Sequence, residues 1–203
     1  MASVAQIETE RLLLRERREG DVEAWAKFTS DPDFRRYIPV RRSDETAEQR
    51  AERNLSSLMA RWEKEPLKGV GWIVARREDG QVIGQGGFEE GEVPEDGEID
   101  YRFGKPFWGQ GYGREAAHAM SRFVIDNELF ERLVAYIVPG NMGSIRIAEG
   151  LGMRYERDVD YLQFFPDPSR VELADPMTRM YAARRDEVTV GDGHYRVVNG
   201  GSR

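Results

Sequence analysis

The chain has 203 residues, 39% of them hydrophobic, which is enough for one domain with a substantial core. It has no cysteine and only two histidines, which excludes disulfides, cysteine nucleophiles and thiolate or histidine-rich metal sites. The net charge of −7 and the mixing of arginines with acids argue against nucleic acid as a partner and modestly favour a cationic substrate such as an amine. Without a long apolar run or a secretory signal, we expect a cytoplasmic protein with no membrane partner.

The first half of the chain predicts a strand, two helices and three strands. Asp21 and Ser43 are residue types that cap helix N-termini, and each precedes an apolar stripe of helical spacing. Asp79-Gly80 between two apolar runs is a hairpin signal. In chain order the predicted elements are a strand over Ile7–Arg15, a helix over Asp21–Ser30, a loop over Arg35–Pro39, a helix from Ser43 (with Asp44 and Glu45 in its first turn) to Pro66, and strands over Val70–Arg76, Gln81–Phe88 and Glu98–Phe103.

The second half predicts a helix, a strand, a helix and two strands, and the whole order is typical of a mixed α/β sheet covered by helices. We expect one domain over residues 1–183. The polar residues 184–203 predict a tail or a terminal hairpin that pairs Glu187–Val190 with His194–Val198. The elements are a helix that ends near Asn127, a strand over Leu133–Val138, a helix over Met142–Gly150, and strands over Met153–Phe165 and Pro176–Ala183.

A glycine-rich segment, Trp108-Gly109-Gln110-Gly111-Tyr112-Gly113-Arg114, immediately precedes the first of these helices. Glycines let backbone N–H groups approach a ligand closely, and a helix N-terminus adds unpaired donors and a partial positive charge. The segment therefore predicts a phosphate-binding loop, with a glycine-rich turn that binds no ligand as the alternative. Its G-x-G-x-G spacing fits neither the P-loop pattern nor the dinucleotide pattern G-x-G-x-x-G.

Four stretches of the chain match motifs of one known family. They are Thr9–Arg15, Glu98–Tyr101, Phe107–Ala116, and Asn141–Ser144 with Glu149–Met153 after it. These stretches resemble the opening strand, the fourth strand, the pyrophosphate loop and the Asn-x-x-Ser helix of the GNAT superfamily of acyl-coenzyme A N-acyltransferases. The ribosomal-protein N-acetyltransferases of the RimJ/RimL type are the branch that the chain resembles most. The similarity covers about Ile7 to Ala183.

The resemblance implies a mixed, mostly antiparallel GNAT-type sheet of about seven strands with four helices. The sheet would be splayed between its fourth and fifth strands, Glu98–Phe103 and Leu133–Val138. Acetyl-coenzyme A is the implied acyl donor and no metal is implied; the pyrophosphate would lie on the glycine loop and the pantetheine arm between the splayed strands. The implied cofactor-binding residues are Trp108, Gly109, Gln110, Gly111, Tyr112, Gly113, Arg114, Asn141 and Ser144.

The implied reaction is direct attack of an amine on the thioester, which needs a base for the ammonium and a proton for the leaving thiolate. Glu98 and Asp100 are the candidate bases, because strand periodicity puts both on one face. Two carboxylates so near each other should raise the pKa of one of them, and a raised pKa suits a base. The branch often has glycine where Asp100 stands. It therefore stays open whether Asp100 assists the base, binds the amine or narrows the pocket. The alternative is that one or both carboxylates are solvated strand residues or salt-bridge partners.

Asn141 and Ser144 follow a Pro-Gly turn at the start of a predicted helix. In the resembled family both face the coenzyme and the serine donates to the thiolate, which makes Ser144 the third candidate catalytic residue. A capping pair without a catalytic role is the alternative. Tyr136 lies inside a predicted strand and indicates core. We expect His118 to be exposed and His194 to lie in the tail, so neither histidine is a candidate base.

We expect an N-acetyltransferase that modifies a primary amine, either a protein N-terminus or a small molecule, and that is a monomer or a homodimer. Two other hypotheses are a non-catalytic acyl-coenzyme A sensor and an interaction protein whose terminal hairpin recruits a partner. By family analogy, the helix pair before Pro66 and the loop Phe164–Ser169 would wall the amine pocket. The aromatic residues that could line it are Trp25, Phe34, Tyr37, Trp62, Phe164 and Phe165.

Overall fold

The computed structural model describes residues 5–18, 20–41, 44–64, 70–173 and 175–199. Over these residues the chain forms eleven strands and five α-helices. The strands are β1 Ala5–Thr9, β2 Leu12–Arg15, β3 Val40–Arg41, β4 Val70–Arg76, β5 Val82–Glu90, β6 Asp96–Phe103, β7 Arg132–Ile137, β8 Arg154–Asp160, β9 Val171–Glu172, β10 Met177–Arg184 and β11 Tyr195–Asn199. The helices are α1 Asp21–Ser30, α2 Pro32–Arg35, α3 Ala47–Lys64, α4 Tyr112–Asp126 and α5 Met142–Gly150.

Nine strands form one sheet in the order β11-β1-β2-β4-β5-β6-β7-β10-β8, and β3 pairs with β9 separately. Every neighbouring pair is antiparallel except β6 and β7, which are parallel. The predicted mixed, mostly antiparallel sheet is confirmed, with nine strands in the main sheet where about seven were expected and five helices where four were expected. None of the described helices is both long and apolar enough to cross a membrane.

The predicted splay lies between β6 and β7. Their pairing covers only Asp96–Glu98 against Arg132–Val134, after which β6 and β7 no longer pair with each other, although β5 and β10 still pair with their outer edges. The paired end is fixed by a bidentate ion pair, in which Arg132 Nε and Nη2 donate to the two carboxylate oxygens of Asp96 at 2.8 Å each. Asp96 is only 2% exposed. The strands are therefore held together at one end, and a gap opens beyond Glu98.

Helices cover both faces of the sheet. The predicted apolar face of α4 is buried, and Met120 lies against Gly86 of β5. The adjacent Gln85 opens onto a cavity beside α1 and α3. Because successive strand residues point to opposite faces, α4 covers one face of the sheet and the α1–α3 pair covers the other.

The first strand differs from the prediction, because Ile7–Arg15 forms the hairpin β1–β2 instead of one strand. Thr9 makes the turn: its Oγ1 accepts a hydrogen bond from the Leu12 amide at 3.0 Å. Ile7 consequently lies opposite Leu14, and both side chains are fully buried. The apolar pattern is compatible with one strand or two, and a buried threonine side chain decides between them.

The predicted strand Met153–Phe165 is too long. The strand β8 ends at Asp160, whose Oδ1 accepts from the Leu162 amide at 3.0 Å and so starts a 3₁₀ helix over Tyr161–Phe164. An aspartate that bonds to a nearby backbone amide competes with the strand ladder. This turn brings Tyr161 to the opening between β6 and β7.

The predicted terminal hairpin is not formed, because Tyr195–Asn199 pairs with β1. The register runs from Ala5 opposite Asn199 to Thr9 opposite Tyr195. Pairing with the outer edge of β1 joins five residues of β11 in a hydrogen-bonded ladder, whereas Glu187–Val190 would offer only four partners. The domain division at residue 183 stays a prediction.

The long helix also begins later than predicted. The predicted cap Ser43 lies outside the described residues, and Asp44 and Glu45 precede α3. Thr46 caps it instead: Thr46 Oγ1 accepts from the Gln49 amide at 3.2 Å, and Gln49 Oε1 accepts from the Thr46 amide at 2.9 Å. This reciprocal pattern is a capping box.

Candidate active site

The glycine loop enters α4 through two left-handed residues, Gly109 at φ +73° and Gly111 at φ +82°. Glycine adopts this conformation without steric cost. Gly111 is the N-cap of α4, so the first amides of the helix have no partner within it. Gly113 serves packing, since a Cβ there would lie 3.2 Å from Ile147 of α5.

The loop is braced by the turn between β1 and β2, a contact that the sequence analysis missed. Arg11 Nε donates to Glu115 Oε2 at 2.7 Å, and Thr9 Oγ1 donates to Glu115 Oε1 at 2.6 Å. Arg11 Nη1 also donates to the Gln110 carbonyl at 2.9 Å, and its guanidinium lies 4.6 Å from the centre of the Tyr112 ring. The negative charge of Glu115 in the first turn of α4 is therefore paired, which suits an anion site at the start of this helix.

A cleft of about 580 Å³ occupies the opening between β6 and β7. Glycine-loop residues, both strands, the start of α5 and the segment before β3 line it. Tyr37 of that segment donates its hydroxyl to the Gly140 carbonyl at 3.3 Å, across the cleft. Of the predicted site residues, the cleft brings together Glu98, Asp100, Trp108, Gly109, Gly111, Tyr112, Gly113, Arg114, Asn141 and Ser144.

Two predicted loop residues support the loop through their side chains. Gln110 Nε2 donates to the Pro106 carbonyl at 2.8 Å, so this amide side chain turns back on the loop. Trp108 Nε1 donates to the Phe103 carbonyl at 2.6 Å, while 43% of the residue stays exposed. Trp108 thus ties the loop to the end of β6.

Glu98 lies on β6 at the point where the two strands part. Tyr161 donates its hydroxyl to Glu98 Oε1 at 2.8 Å. Burial raises the pKa of Glu98 from its ordinary 4.5 to about 7; the Tyr161 hydrogen bond lowers it, and the nearby charges of Glu89 and Asp100 raise it further. The sequence predicted such a rise from a second carboxylate nearby. In the structure, desolvation is the larger cause and Asp100 contributes a smaller share.

Asp100 also lines the cleft, and it has a salt-bridge partner. Arg102 Nη2 lies 3.2 Å from Asp100 Oδ2, with 39% of the aspartate side chain exposed. Asp100 therefore forms the salt bridge that the sequence left open as an alternative. A paired, partly exposed carboxylate is a weaker candidate base than the enclosed Glu98.

Asn141 and Ser144 start α5 as the capping alternative describes. Asn141 Oδ1 accepts from the Ser144 amide at 3.2 Å. Both residues nevertheless line the cleft, and Tyr101 donates its hydroxyl to the Ser144 carbonyl at 3.3 Å. Capping uses the amide of Ser144, so its hydroxyl stays available to a ligand in the cleft.

Two tyrosines change the sequence-based view of this site. The sequence did not indicate Tyr161 as a site residue, because its contact with Glu98 joins residues 63 positions apart in the chain. Tyr136, predicted as core, is half-buried and lines the cleft, with its ring centre 5.5 Å from that of Tyr161. Its hydroxyl is buried and has no hydrogen-bond partner among the described residues, and burial raises the pKa of Tyr136 to about 12.

The other predicted aromatic residues divide between the walls and the core. Phe34 and Tyr37 line the cleft, and Trp25 is almost fully buried beside Phe34. Phe164 and Phe165 pack against the Tyr161 ring at 5.3 and 6.0 Å. The side chain of Trp62 lies outside the described part of the chain.

His118 is half-buried, not exposed as predicted. Its Nδ1 accepts a hydrogen bond from the Gly191 amide at 3.0 Å, which ties the C-terminal segment to α4. Burial lowers the pKa of His118, and the charge of Arg114 lowers it further. Among the described residues, no group of three or more His, Asp or Glu side chains is arranged to hold a metal ion.

The family model for the acetyltransferase (GNAT) domain matches residues 11–154. The chain belongs to the GNAT acetyltransferase family. The match includes the glycine loop, both splayed strands and the start of α5. The cleft of this GNAT protein therefore lies among the elements that define the family domain.

Curated relatives agree with this assignment. The chain is 30% identical over 154 residues to the uncharacterized N-acetyltransferase YnaD of Bacillus subtilis. The aligned region covers 74% of the chain and 83% of YnaD. It is 35% identical over 103 residues to the uncharacterized B. subtilis protein YkkB, which covers 48% of the chain. That match spans 60% of the length of YkkB.

Solved structures share the fold. RimJ of Mycobacterium smegmatis in complex with CoA-disulfide superposes with a TM-score of 0.71 at 19% identity, covering 92% of this chain and 91% of that one. The ribosomal-protein-S5-alanine acetyltransferase of Vibrio fischeri superposes with a TM-score of 0.68 at 17% identity, covering 91% and 98%. At these identities the likeness shows the common GNAT architecture.

Proposed function

We propose that this GNAT protein transfers an acetyl group from acetyl-coenzyme A to a primary amine by direct attack. The acceptor is a protein N-terminus or a small-molecule amine, and the enzyme acts in the cytoplasm as a RimJ/RimL-like acetyltransferase, as a monomer or homodimer. The observation that carries the proposal is the position of Glu98. A carboxylate with its pKa raised to about 7 lies where β6 and β7 part, in the same cleft as the glycine loop.

The chain offers binding groups for the pyrophosphate, the pantetheine arm and the thioester of the donor. The free amides at the start of α4, from Gln110 to Arg114, would hold the pyrophosphate, with the helix dipole behind them. The unpaired stretches of β6 and β7 would take the pantetheine amides as a strand takes a neighbour. The thioester would then lie between Glu98 on β6 and Ser144 on α5, which both line the cleft.

In the proposed reaction Glu98 accepts a proton from the acceptor ammonium, directly or through water. The neutral nitrogen attacks the thioester carbon, and the C–N bond forms as the C–S bond breaks. Ser144 donates its hydroxyl proton to the departing thiolate and regains one from the nitrogen. The products are the amide, free coenzyme A and one proton released through Glu98. A base with a pKa near the working pH is well suited to this step.

Calorimetric titration with acetyl-coenzyme A tests the donor site, and coenzyme A release with a panel of primary amines tests the transfer. We expect acetyl-coenzyme A to bind and this binding to be lost when the charge of Arg114 in the loop is reversed. We also expect coenzyme A release to depend on both substrates. Failure to bind acetyl-coenzyme A at millimolar concentration would refute the donor assignment. Binding without turnover of any amine would favour the acyl-coenzyme A sensor instead.

A further inference from the structure

A second cavity adjoins the cleft on the face of the sheet that α1 and α3 cover. Its volume is about 220 Å³, and it shares Asp100 and Arg102 with the cleft. We call it the side chamber. It is smaller than the ~300–1,000 Å³ typical of pockets for drug-sized ligands, so it suits one small group. Its other lining residues come mainly from α1, α3, β5 and the segment before β3.

The side chamber carries a surplus of positive charge in a chain of net charge −7. Among the described residues, four arginines and two carboxylates line it, and the carboxylates are Glu89 and Asp100. Two of the arginines are paired: Arg102 with Asp100 at 3.2 Å, and Arg53 with Glu45 at 2.9 Å. The other two, Arg35 and Arg50, form no ion pair within the part of the chain that the structure describes.

Three residues that line the side chamber also have buried polar atoms without a partner among the described residues. Gln85 is 7% exposed and Trp25 is 1% exposed, yet Gln85 Oε1 and Trp25 Nε1 have no hydrogen bond to any described residue. The same holds for Arg50 Nε, although Arg50 Nη2 donates to the Glu45 carbonyl at 3.2 Å. Buried polar groups in native proteins are nearly always paired. The free donor of Trp25, the free acceptor of Gln85 and the two arginines without an ion pair together indicate a polar, anionic occupant.

The side chamber continues from the candidate base along one strand. Glu98, Asp100 and Arg102 alternate along β6 and so share a face. At a rise of about 3.4 Å per residue, Glu98 and Arg102 are ~14 Å apart along the strand, and Asp100 lies midway. An acceptor whose amine lies at Glu98 would therefore extend its far end over Asp100 into the side chamber.

We propose that the acceptor carries a carboxylate two to four residue lengths from its amine, and that Arg50 and Arg35 bind this carboxylate in the side chamber. The proposal rests on the proposed acetyl transfer to an amine. Guanidinium groups bind carboxylates with paired, charge-assisted hydrogen bonds. The same chemistry is offered by a free amino acid and by an acidic side chain near a protein N-terminus, and the two sources need separate tests.

Matched acceptors separate the inference from the proposed function. One series contains ω-amino acids of increasing chain length and their carboxamides. The other contains short peptides with a free N-terminus and Glu or Gln as the second or third residue. We expect the carboxylate member of the best pair to have a KM lower by about tenfold or more, because a hydrogen bond to a charged group contributes that much. The series in which the preference appears identifies the source.

Variants locate the preference. Arg50→Gln and Arg35→Gln should each collapse the carboxylate preference towards unity, and Arg50→Lys should retain part of it. Arg36→Gln is the matched control, because it removes one charge from an exposed neighbour that does not line the side chamber. Melting temperature and acetyl-coenzyme A titration establish that each variant is folded with its donor site intact.

The outcomes are distinct. Turnover of both members of every pair with equal KM would overturn the inference and leave the proposed function standing, as would a preference that survives in Arg50→Gln and Arg35→Gln. Absence of coenzyme A release with every acceptor would overturn both. A preference that only the two side-chamber variants lose supports the inference.

Discussion

Replacing Glu98 with glutamine tests the chemistry of the site most sharply. With a pKa of about 7, Glu98 is about 10% ionised at pH 6, about 50% at pH 7 and about 90% at pH 8. If its carboxylate is the base, kcat/KM of the wild-type protein for the acceptor should rise about tenfold between pH 6 and pH 8. Glu98→Gln should lower kcat by about 10²- to 10⁴-fold and abolish the inflection near pH 7.

Two further variants should move the inflection in opposite directions. The Asp100 charge raises the pKa of Glu98 and the Tyr161 hydrogen bond lowers it. Asp100→Asn should therefore shift the midpoint of the pH–rate profile to lower pH, and Tyr161→Phe should shift it to higher pH. The assay is coenzyme A release over pH 5.5 to about 9 at saturating acetyl-coenzyme A and subsaturating acceptor, which gives kcat/KM for the acceptor. A midpoint near 7 that persists in Glu98→Gln would refute the assignment of the base.

Four other predictions concern stability and the loop. The raised pKa of Glu98 contributes stability that is fully present below its ordinary pKa of 4.5 and is lost as the pH rises through about 7. Glu98→Gln should therefore melt higher than wild type at pH 8 and at the same temperature near pH 4. Gly111→Ala, at φ +82°, should destabilise the fold by about 1–2 kcal/mol and weaken acetyl-coenzyme A binding. The control Gly150→Ala, where a Cβ would meet open space, should do neither. Thermal melts measure the stability and calorimetry measures the binding. Arg11→Gln should raise KM for acetyl-coenzyme A about tenfold with kcat unchanged, since it leaves a carboxylate unpaired beside the anion site. Asp96→Asn should lower the unfolding free energy in urea by about 3 kcal/mol, because it breaks the ion pair with Arg132, and an unchanged midpoint would contradict that role.

Local signals account for most of what the sequence predicted. The glycine loop, the start of α4 and the Asn141 cap each depend on residues within a few positions of one another, and the structure has all three where expected. Helix α5 even matches its predicted bounds, Met142–Gly150. Glycine conformations and helix caps follow from short-range sterics and hydrogen bonding, so they can be predicted from one sequence.

Contacts between distant segments account for what was missed. Glu115 meets Arg11 from 104 residues away, and Tyr161 reaches Glu98 only because Asp160 turns the chain after β8. The acidic average of the chain pointed to a cationic acceptor, whereas the side chamber gathers arginines from α2, α3 and β6. Composition averages over the surface, and only the fold decides which charges converge.

The most direct test of the account is a crystal structure of the protein with acetyl-coenzyme A. We predict that the pyrophosphate contacts the amides of Gln110 to Arg114, that the pantetheine arm lies between β6 and β7, and that the thioester lies between Glu98 and Ser144. A donor bound elsewhere, or a thioester out of reach of Glu98, would contradict the assignment of this cleft as the acetyl-transfer site.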